Sequence, residues 1–337
     1  MNETIQQYLK EHGFEQFTPK AVLFDMDGVL IDSMPNHVVA WKESMAVFDI
    51  AMTADDAYAT EGARGVDTIR KMVKEQHGRD IDEAEAQQMY DVKSRIFNEQ
   101  PLAPVMNGVR GLLRKISRDG LRIIVVTGSG QRPLIQRLSE EFPKYISEDQ
   151  IITAYDVKRG KPAPDPYLMG LKRAGDLQPW EAIVVENAPL GVRAGAAANI
   201  FTVAVNSGPL SNEALKEAGA NIVFDSMTDF RDHWDRMFAP ELIKNGKKKL
   251  NQNDEKWERM YQQVMDYMET NKRRPSKYHP EDRKMHAWIK YNKKRLIHNA
   301  MPKERAERFR ELLLTAIKYW RSNQYNRPSI REFEINF

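Results

Sequence analysis

Six short apolar runs constrain this chain more than any other feature. They are Ala21–Phe24, Leu121–Val126, Ile151–Ala154, Ala182–Val185, Ile200–Val205 and Asn221–Phe224. They are too short for helices and rich in Val and Ile, so they read as strands buried on both faces of a parallel sheet. Amphipathic stretches such as Val109–Arg118, Leu134–Glu141 and Pro166–Ala174 lie between them. That βαβ alternation predicts an α/β fold built on a doubly wound parallel sheet.

The rhythm breaks twice. From about Pro35 to Met106 the pattern is helical (Val38–Val47, Val66–His77, Asp82–Phe97) with no convincing strand. Such a length far exceeds an ordinary βα connection, so it reads as an inserted helical subdomain. Beyond Pro240 the charge changes sign. From Lys244 onward there are 24 Lys and Arg against 12 Asp and Glu, whereas the residues before it hold 27 against 36. Two units with different partners are expected. The segment KNGKKKLNQN reads as a linker, followed by helices over about Asp254–Thr270, Pro280–Ile297 and Pro302–Arg321. The expected division is 1–36 with 107–240 as the α/β core, 37–106 as a helical cap, 241–253 as a linker and 254–325 as a three-helix module.

Composition narrows the classes further. Cys is absent, which excludes disulfides, thiolate metal sites and Cys nucleophiles. No apolar window approaches a membrane span, and residues 1–17 lack a basic start followed by an apolar block. A cytoplasmic location and no membrane partner are the expectation.

The chemistry-bearing residues cluster where the strands end, which is where open α/β sheets bind ligands. The first run leads into Asp25-Met26-Asp27-Gly28. Residues i and i+2 of a strand point the same way, so two carboxylates emerge together. They repel unless a cation or a proton separates them. Taken alone, the segment is also a common Asp-Gly turn. Leu121–Val126 leads into Thr127-Gly128-Ser129-Gly130, a hydroxyl and exposed N–H groups suited to phosphate, or simply a Gly-rich turn. Lys161 stands between Gly160 and Pro162, either a fixed ammonium or a surface lysine. Ala182–Val185 leads into Glu186-Asn187, oxygen ligands for a hard cation or a helix cap.

In this order, VLFDMDGVLIDS, VVTGSG, GKPAPDPY and VVENAPLGVRAGAAAN resemble the four motifs of the haloacid dehalogenase-like phosphotransferases. Within them the chain resembles the beta-phosphoglucomutase-like group, which includes phosphatases, pyrophosphatases and mutases. The resemblance covers about Lys20 to Asp225 and implies a Rossmann-like core with a helical cap. It implies Asp25 as nucleophile and Asp27 as general acid and base. It also implies Mg²⁺ held by Asp25, Asp27, Glu186 and Asn187. Thr127, Gly128, Ser129 and Lys161 would hold the phosphoryl group. The family usually ends its fourth motif in two acids. Here Asn187 leaves one fewer charge, which could weaken the metal or suit a more anionic substrate such as pyrophosphate.

The resemblance extends to the cap loop Glu61-Gly62-Ala63-Arg64-Gly65, whose Arg64 and Glu61 would face the substrate or be solvated, and to His37, which would contact the general acid. Mutases carry Lys-Asn where this chain has Gly130-Gln131, and a cap Arg that aligns with Gly65, so hydrolysis is expected over sugar-phosphate isomerisation. In the tail, W-x₃-Y, PSKYHPEDRKMHAWIKYNKKR and a late Tyr-Trp resemble the helicase-associated domain, a module linked to nucleic acid. Its aromatics read as a small core. Its basic residues (272–274, Lys277, 283–284, Lys290, 293–295) read as a phosphate-binding surface, as a solvated face or as a dock for the acidic body of the same chain. The expected activity is a Mg²⁺-dependent phosphohydrolase on a small phosphate ester or pyrophosphate. The alternatives are a mutase or a nucleic-acid-binding protein.

Overall fold

The computed structural model describes residues 3–129, 132–238, 252–298 and 300–319. The chain divides into two compact units, residues 1–247 and 248–337.

The first unit begins with α1 (Glu3–His12), followed by β1 (Ala21–Phe24). Four helices come next: α2 (Met34–Ala46), α3 (Ala54–Ala59), α4 (Gly65–His77) and α5 (Glu83–Glu99). The chain then alternates through α6 (Val109–Arg118), β2 (Arg122–Val126), α7 (Arg132–Glu141), β3 (Ile151–Ile152), α8 (Asp165–Arg173) and β4 (Ala182–Glu186). It ends with α9 (Pro189–Ala197), β5 (Phe201–Val205), α10 (Asn212–Glu217), β6 (Ile222–Phe224) and α11 (Met227–Met237). All six strands are parallel in the order β3-β2-β1-β4-β5-β6. The third expected strand is shorter than its apolar run. Thr153 leaves the ladder because its N–H and hydroxyl both bond Asp156, closing a turn.

The period of two sorts side chains between two apolar layers. Val22, Phe24, Ile123, Val125, Ile183 and Val185 enter one, which is closed by Leu112, Phe230 and Trp234. Ala21, Leu23, Ile124, Val126, Ala182 and Val184 enter the other, against Tyr167 and Leu171. Fully burying such a side chain stabilises by about 1.5–3 kcal/mol. Both faces are covered, so the strands read as unbroken apolar runs.

The helical insert of α2 to α5 has its own core of Trp41, Met45, Ile69, Met72, Val73 and Met89. Thr53 and Asp56 form a reciprocal capping box at α3. Asp82 caps α5 through the Glu85 N–H. Its two connections to the sheet are tied together, Asp32 N–H to the Pro104 carbonyl at 2.9 Å and Met106 N–H to the Leu30 carbonyl at 3.0 Å.

The second unit contains α12 (Gln252–Asn271), α13 (Arg283–Ile297) and α14 (Lys303–Lys318). Its core holds Trp257, Tyr261, Val264, Met268, Met285, Leu296, Phe309 and Leu312. Trp257 Nε1 donates to the buried Asn292 at 2.9 Å. The expected helix from Pro280 opens as a single 3₁₀ turn, Pro280–Asp282. Helix α12 starts within the expected linker, most of which lies outside the described residues, as do Trp320 and the positions after it. Among the described residues no helix is long and apolar enough to cross a membrane.

Candidate active site

Strands β1 and β4 lie side by side at the centre of the sheet, where the strand order reverses, and the crevice at their C-terminal ends is the ligand position of this topology. The ladder continues one residue past β1, Asp25 N–H bonding the Val185 carbonyl at 3.0 Å. Met26 is buried in the core, while Asp25 and Asp27 both line a cavity between sheet and insert. Gly28 takes φ +77°, and its α-carbon faces Asn187 so closely that a Cβ would lie 2.1 Å from Asn187 Nδ2. Only glycine fits there.

Beneath Asp25 sits a buried lysine. Lys161 Nζ donates to Asp25 Oδ1 at 2.5 Å, to Glu186 Oε1 at 2.6 Å and to the Val126 carbonyl at 3.0 Å. Tyr167 adds a hydrogen bond to the same Glu186 oxygen at 2.6 Å. Burial lowers the proton affinity of Lys161, but Asp25 and Glu186 outweigh it and hold the ammonium above its ordinary range. Asp25 is pushed up to about 7, first by burial and then by Glu186 and Asp27, against the pull of Lys161.

Asp27 has different surroundings. It accepts from Ser33 Oγ at 2.5 Å and from His37 Nε2 at 3.1 Å, and His37 Nδ1 meets Lys93 Nζ at 2.8 Å. An ammonium or amine donating to Nδ1 leaves Nε2 as the protonated nitrogen, the tautomer that donates to Asp27. Burial alone would raise Asp27, yet His37 and Ser33 hold it below the usual carboxylate range. His37 is depressed by burial and by Lys93, and Lys93 is lowered to about 7 by burial, with Asp27 opposing. Its ammonium lies 5.1 Å from the Trp41 ring centre and 4.8 Å from that of Phe97.

From the insert, Glu61 reaches the end of β4 and accepts from Asn187 Nδ2 at 2.8 Å. Burial first, then Asp25, raises Glu61 well above its ordinary value. Asn187 Oδ1 is buried with no hydrogen-bond partner. Among the described residues no three Asp, Glu or His side chains form a ready metal cluster. The oxygen donors on hand are the Asp25 and Asp27 carboxylates and this orphaned amide oxygen. An all-oxygen set amid excess carboxylates fits a hard divalent cation.

The structure brings together most of the residues expected from sequence. Asp25, Asp27, His37, Glu61, Gly128 and Ser129 line the cavity. Thr127 is buried beside them, its hydroxyl accepting the Ser129 N–H at 3.0 Å. Lys161, Glu186 and Asn187 lie behind Asp25 and Glu61. Arg64 chelates Asp67 at 2.8 and 2.9 Å and packs over Gly160, between Ala63 and Gly65 of the cavity wall. Gly130 and Gln131 lie outside the described residues. Sequence reasoning did not single out Ser33, Trp41, Tyr90, Lys93 or Tyr167. Lys93 carried a signal. It falls on the buried stripe Ala86, Met89, Lys93, Phe97 of α5, a charge where the helical period demands an apolar residue.

A doubly wound sheet with two carboxylates and a buried lysine at its switch point, closed over by a helical insert, defines a capped α/β hydrolase. Residues 19–199 match the haloacid dehalogenase-like hydrolase family, and the chain belongs to it. It is a phosphoric monoester hydrolase of that type, similar to the beta-phosphoglucomutase-like group. Hexitol phosphatase A of Escherichia coli is 32% identical over 198 residues, covering 59% of this chain and 88% of that protein. The phosphorylated carbohydrates phosphatase of Thermotoga maritima is 29% identical, covering 60% of this chain and 92% of that protein. A solved Bacteroides vulgatus structure, provisionally described as a beta-phosphoglucomutase, is 46% identical with a TM-score of 0.67 and covers 73% of this chain and 98% of its own.

Proposed function

We propose that the first unit is a Mg²⁺-dependent phosphohydrolase acting through Asp25 on a small phosphate ester, with pyrophosphate as the other candidate. Asp25 attacks phosphorus, forming an acyl-phosphate bond as the bond to the leaving oxygen breaks. Asp27 gives that oxygen its proton, then takes one from the water that opens the aspartyl phosphate. The anionic substrate raises the proton affinity of Asp27 by like-charge repulsion, and His37, oriented by Lys93, holds the carboxyl towards the reacting oxygen. Lys161, Thr127 and the Gly128 and Ser129 amides offset the charge of the phosphoryl oxygens. Asp25, Asp27, Glu186 and Asn187 would hold Mg²⁺, which when bound supplies Lewis-acid neutralisation of phosphoryl oxygens.

The observation that carries the substrate reading is the cavity of about 50 Å³ walled by Met34, Trp41, Glu61 and Tyr90. One water needs about 10–15 Å³ on this measure, so the space holds roughly four waters. Walls this close to the leaving-group position favour a small group there, phosphate among them. The names of the two phosphatase relatives favour small sugar phosphates among the esters. A panel of pyrophosphate, hexitol and hexose phosphates and nucleotides, with and without Mg²⁺, tests the choice. A kcat/KM on pyrophosphate above that on every ester of the panel overturns the ester reading. An isomerised sugar phosphate as product would make the enzyme a mutase.

For residues 254–325, within the second unit, we infer contact with nucleic-acid phosphates, the partner that their helicase-associated resemblance also implies. Helix α13 carries six Lys and Arg and no acid, and Lys284, Lys290, Tyr291 and Lys294 are exposed on it. Such a face supports binding to a phosphate backbone.

A further inference from the structure

The turn that carries Asp25 and Asp27 is held at a point outside the four motifs. Ser207, in the loop after β5, donates its hydroxyl to the Gly28 carbonyl at 2.7 Å. The next residue, Gly208, lies under the ring of Tyr58 from the insert. A Cβ at Gly208 would stand 3.1 Å from Tyr58 Cε1 and 3.2 Å from Cδ1, tighter than a methyl group accepts without displacing the ring. Glu61 stands against the α-carbon of Gly28 together with its partner Asn187, a Cβ there lying 3.1 Å from Glu61 Oε1 and 2.1 Å from Asn187 Nδ2. Tyr58 and Glu61 belong to one short segment of the insert, α3 and the loop after it. That segment therefore touches the Asp25–Gly28 turn twice: directly through Glu61, and indirectly through the aromatic ring, Gly208 and Ser207.

We propose that Tyr58, Gly208 and Ser207 form a positioning unit: the ring seats on Gly208, and Ser207 fixes the Gly28 carbonyl, setting the turn that presents Asp25 and Asp27. Ser207 and Tyr58 touch no reacting atom and act through the turn. Removing the ring or the hydroxyl should then loosen the same turn. The inference rests on the phosphohydrolase reading for its kinetic part only, because the order of the turn is observable without substrate.

The experiment uses the full chain and the variants Ser207→Ala, Ser207→Thr, Tyr58→Ala and, as an exposed control, Lys42→Ala. Amide hydrogen exchange of residues 25–31 should quicken at least about threefold in Ser207→Ala and in Tyr58→Ala. It should return to the unaltered rate in Ser207→Thr, which keeps the hydroxyl, and stay unchanged in Lys42→Ala. On the best substrate of the panel, Ser207→Ala should lower kcat about tenfold with KM within twofold. The Ser207→Ala, Tyr58→Ala double variant should lose little more than either single one. Unchanged exchange at residues 25–31 in Tyr58→Ala overturns the coupling whatever the substrate proves to be. Additive kinetic losses, or no rescue by Ser207→Thr, overturn it as well. A chain inert towards every substrate would fail the phosphohydrolase reading and leave the exchange measurement to decide the positioning unit.

Discussion

In the first unit the ionisable groups around the cavity lie inside. Asp25, Glu61, Lys93, Lys161 and Glu186 are each less than a tenth exposed. Among the described residues of the second unit most of the basic side chains face water, and the fully buried Asp282 is held by Arg273 at 2.5 Å and by the Ser276 N–H at 3.1 Å. Arg273 therefore has a structural contact that its neighbours in the basic cluster are not shown to share. Buried charges in a poorly solvated site interact strongly, shift one another's protonation and respond little to salt. Exposed ones act at a distance and are screened. The same residue types lie buried around the cavity of one unit and exposed on the other, and burial decides how they can act.

The sharpest way to break that comparison is at the nucleophile. Asp25→Asn keeps the shape and the Lys161 contact but removes the attacking charge. Turnover should fall at least about 10³-fold. Thermal unfolding should show a folded protein. Substantial turnover by the folded variant would mean that the most deeply buried carboxylate of the cavity is not the attacking group.

Buried charge should also leave a mark on stability. In metal-free buffer Asp25, at about 7, binds a proton in the folded chain that the unfolded chain has already lost, so stability falls as pH rises from about 4 to 7. Lys93, also near 7, is neutral in the folded chain while still charged in the unfolded one, so above 7 stability rises again. Urea unfolding across pH 4.5 to 9.5 should show a minimum near neutrality. Asp25→Asn should flatten its acid side and Lys93→Met its alkaline side. A curve with its maximum at neutrality would show that these groups do not titrate as their burial requires.

Asn187 gives a smaller effect. Replacing it with Asp places a carboxylate against Glu61, whose raised proton affinity lets it serve as hydrogen-bond donor to its new neighbour. Asn187→Asp should tighten Mg²⁺ binding about three- to tenfold, since each factor of ten is 1.4 kcal/mol. Calorimetric titration of the resting enzyme checks it. An unchanged affinity would put position 187 outside the reach of the cation.

How far the sequence could be read follows the same division. The sheet was legible because each central strand is apolar on both faces, and the motif residues because they sit where those strands stop. The third run stops pairing after Ile152, since Thr153 and Asp156 close a side-chain turn, which hydropathy does not register. Glu61 could be nominated from its loop, but its partner could not, since the Asn187 contact spans 126 positions. Nothing in sequence announces that Asp67, one helical turn on, takes the Arg64 guanidinium. Lys93 was overlooked although its misfit on an apolar stripe was visible.

The surface half of the comparison is tested by salt. If α13 binds phosphates through its exposed lysines, the full chain should bind single-stranded or duplex nucleic acid with little sequence preference. The logarithm of the affinity should then fall linearly with the logarithm of salt concentration, because each neutralised phosphate releases condensed counterions. Reversing one charge, Lys290→Glu or Lys294→Glu, should weaken binding a few-fold on every sequence, and removing it should lower the salt slope by about 1. Arg273→Glu should act differently, by unseating buried Asp282 and lowering the stability of the second unit. Hydrolysis of pyrophosphate should be the same in the two lysine variants and the parent, because every residue of the cavity precedes Phe238. A shallow or absent salt slope would remove nucleic acid as the partner. The lysines of α13 would then be a solvated face, with charge serving solubility alone.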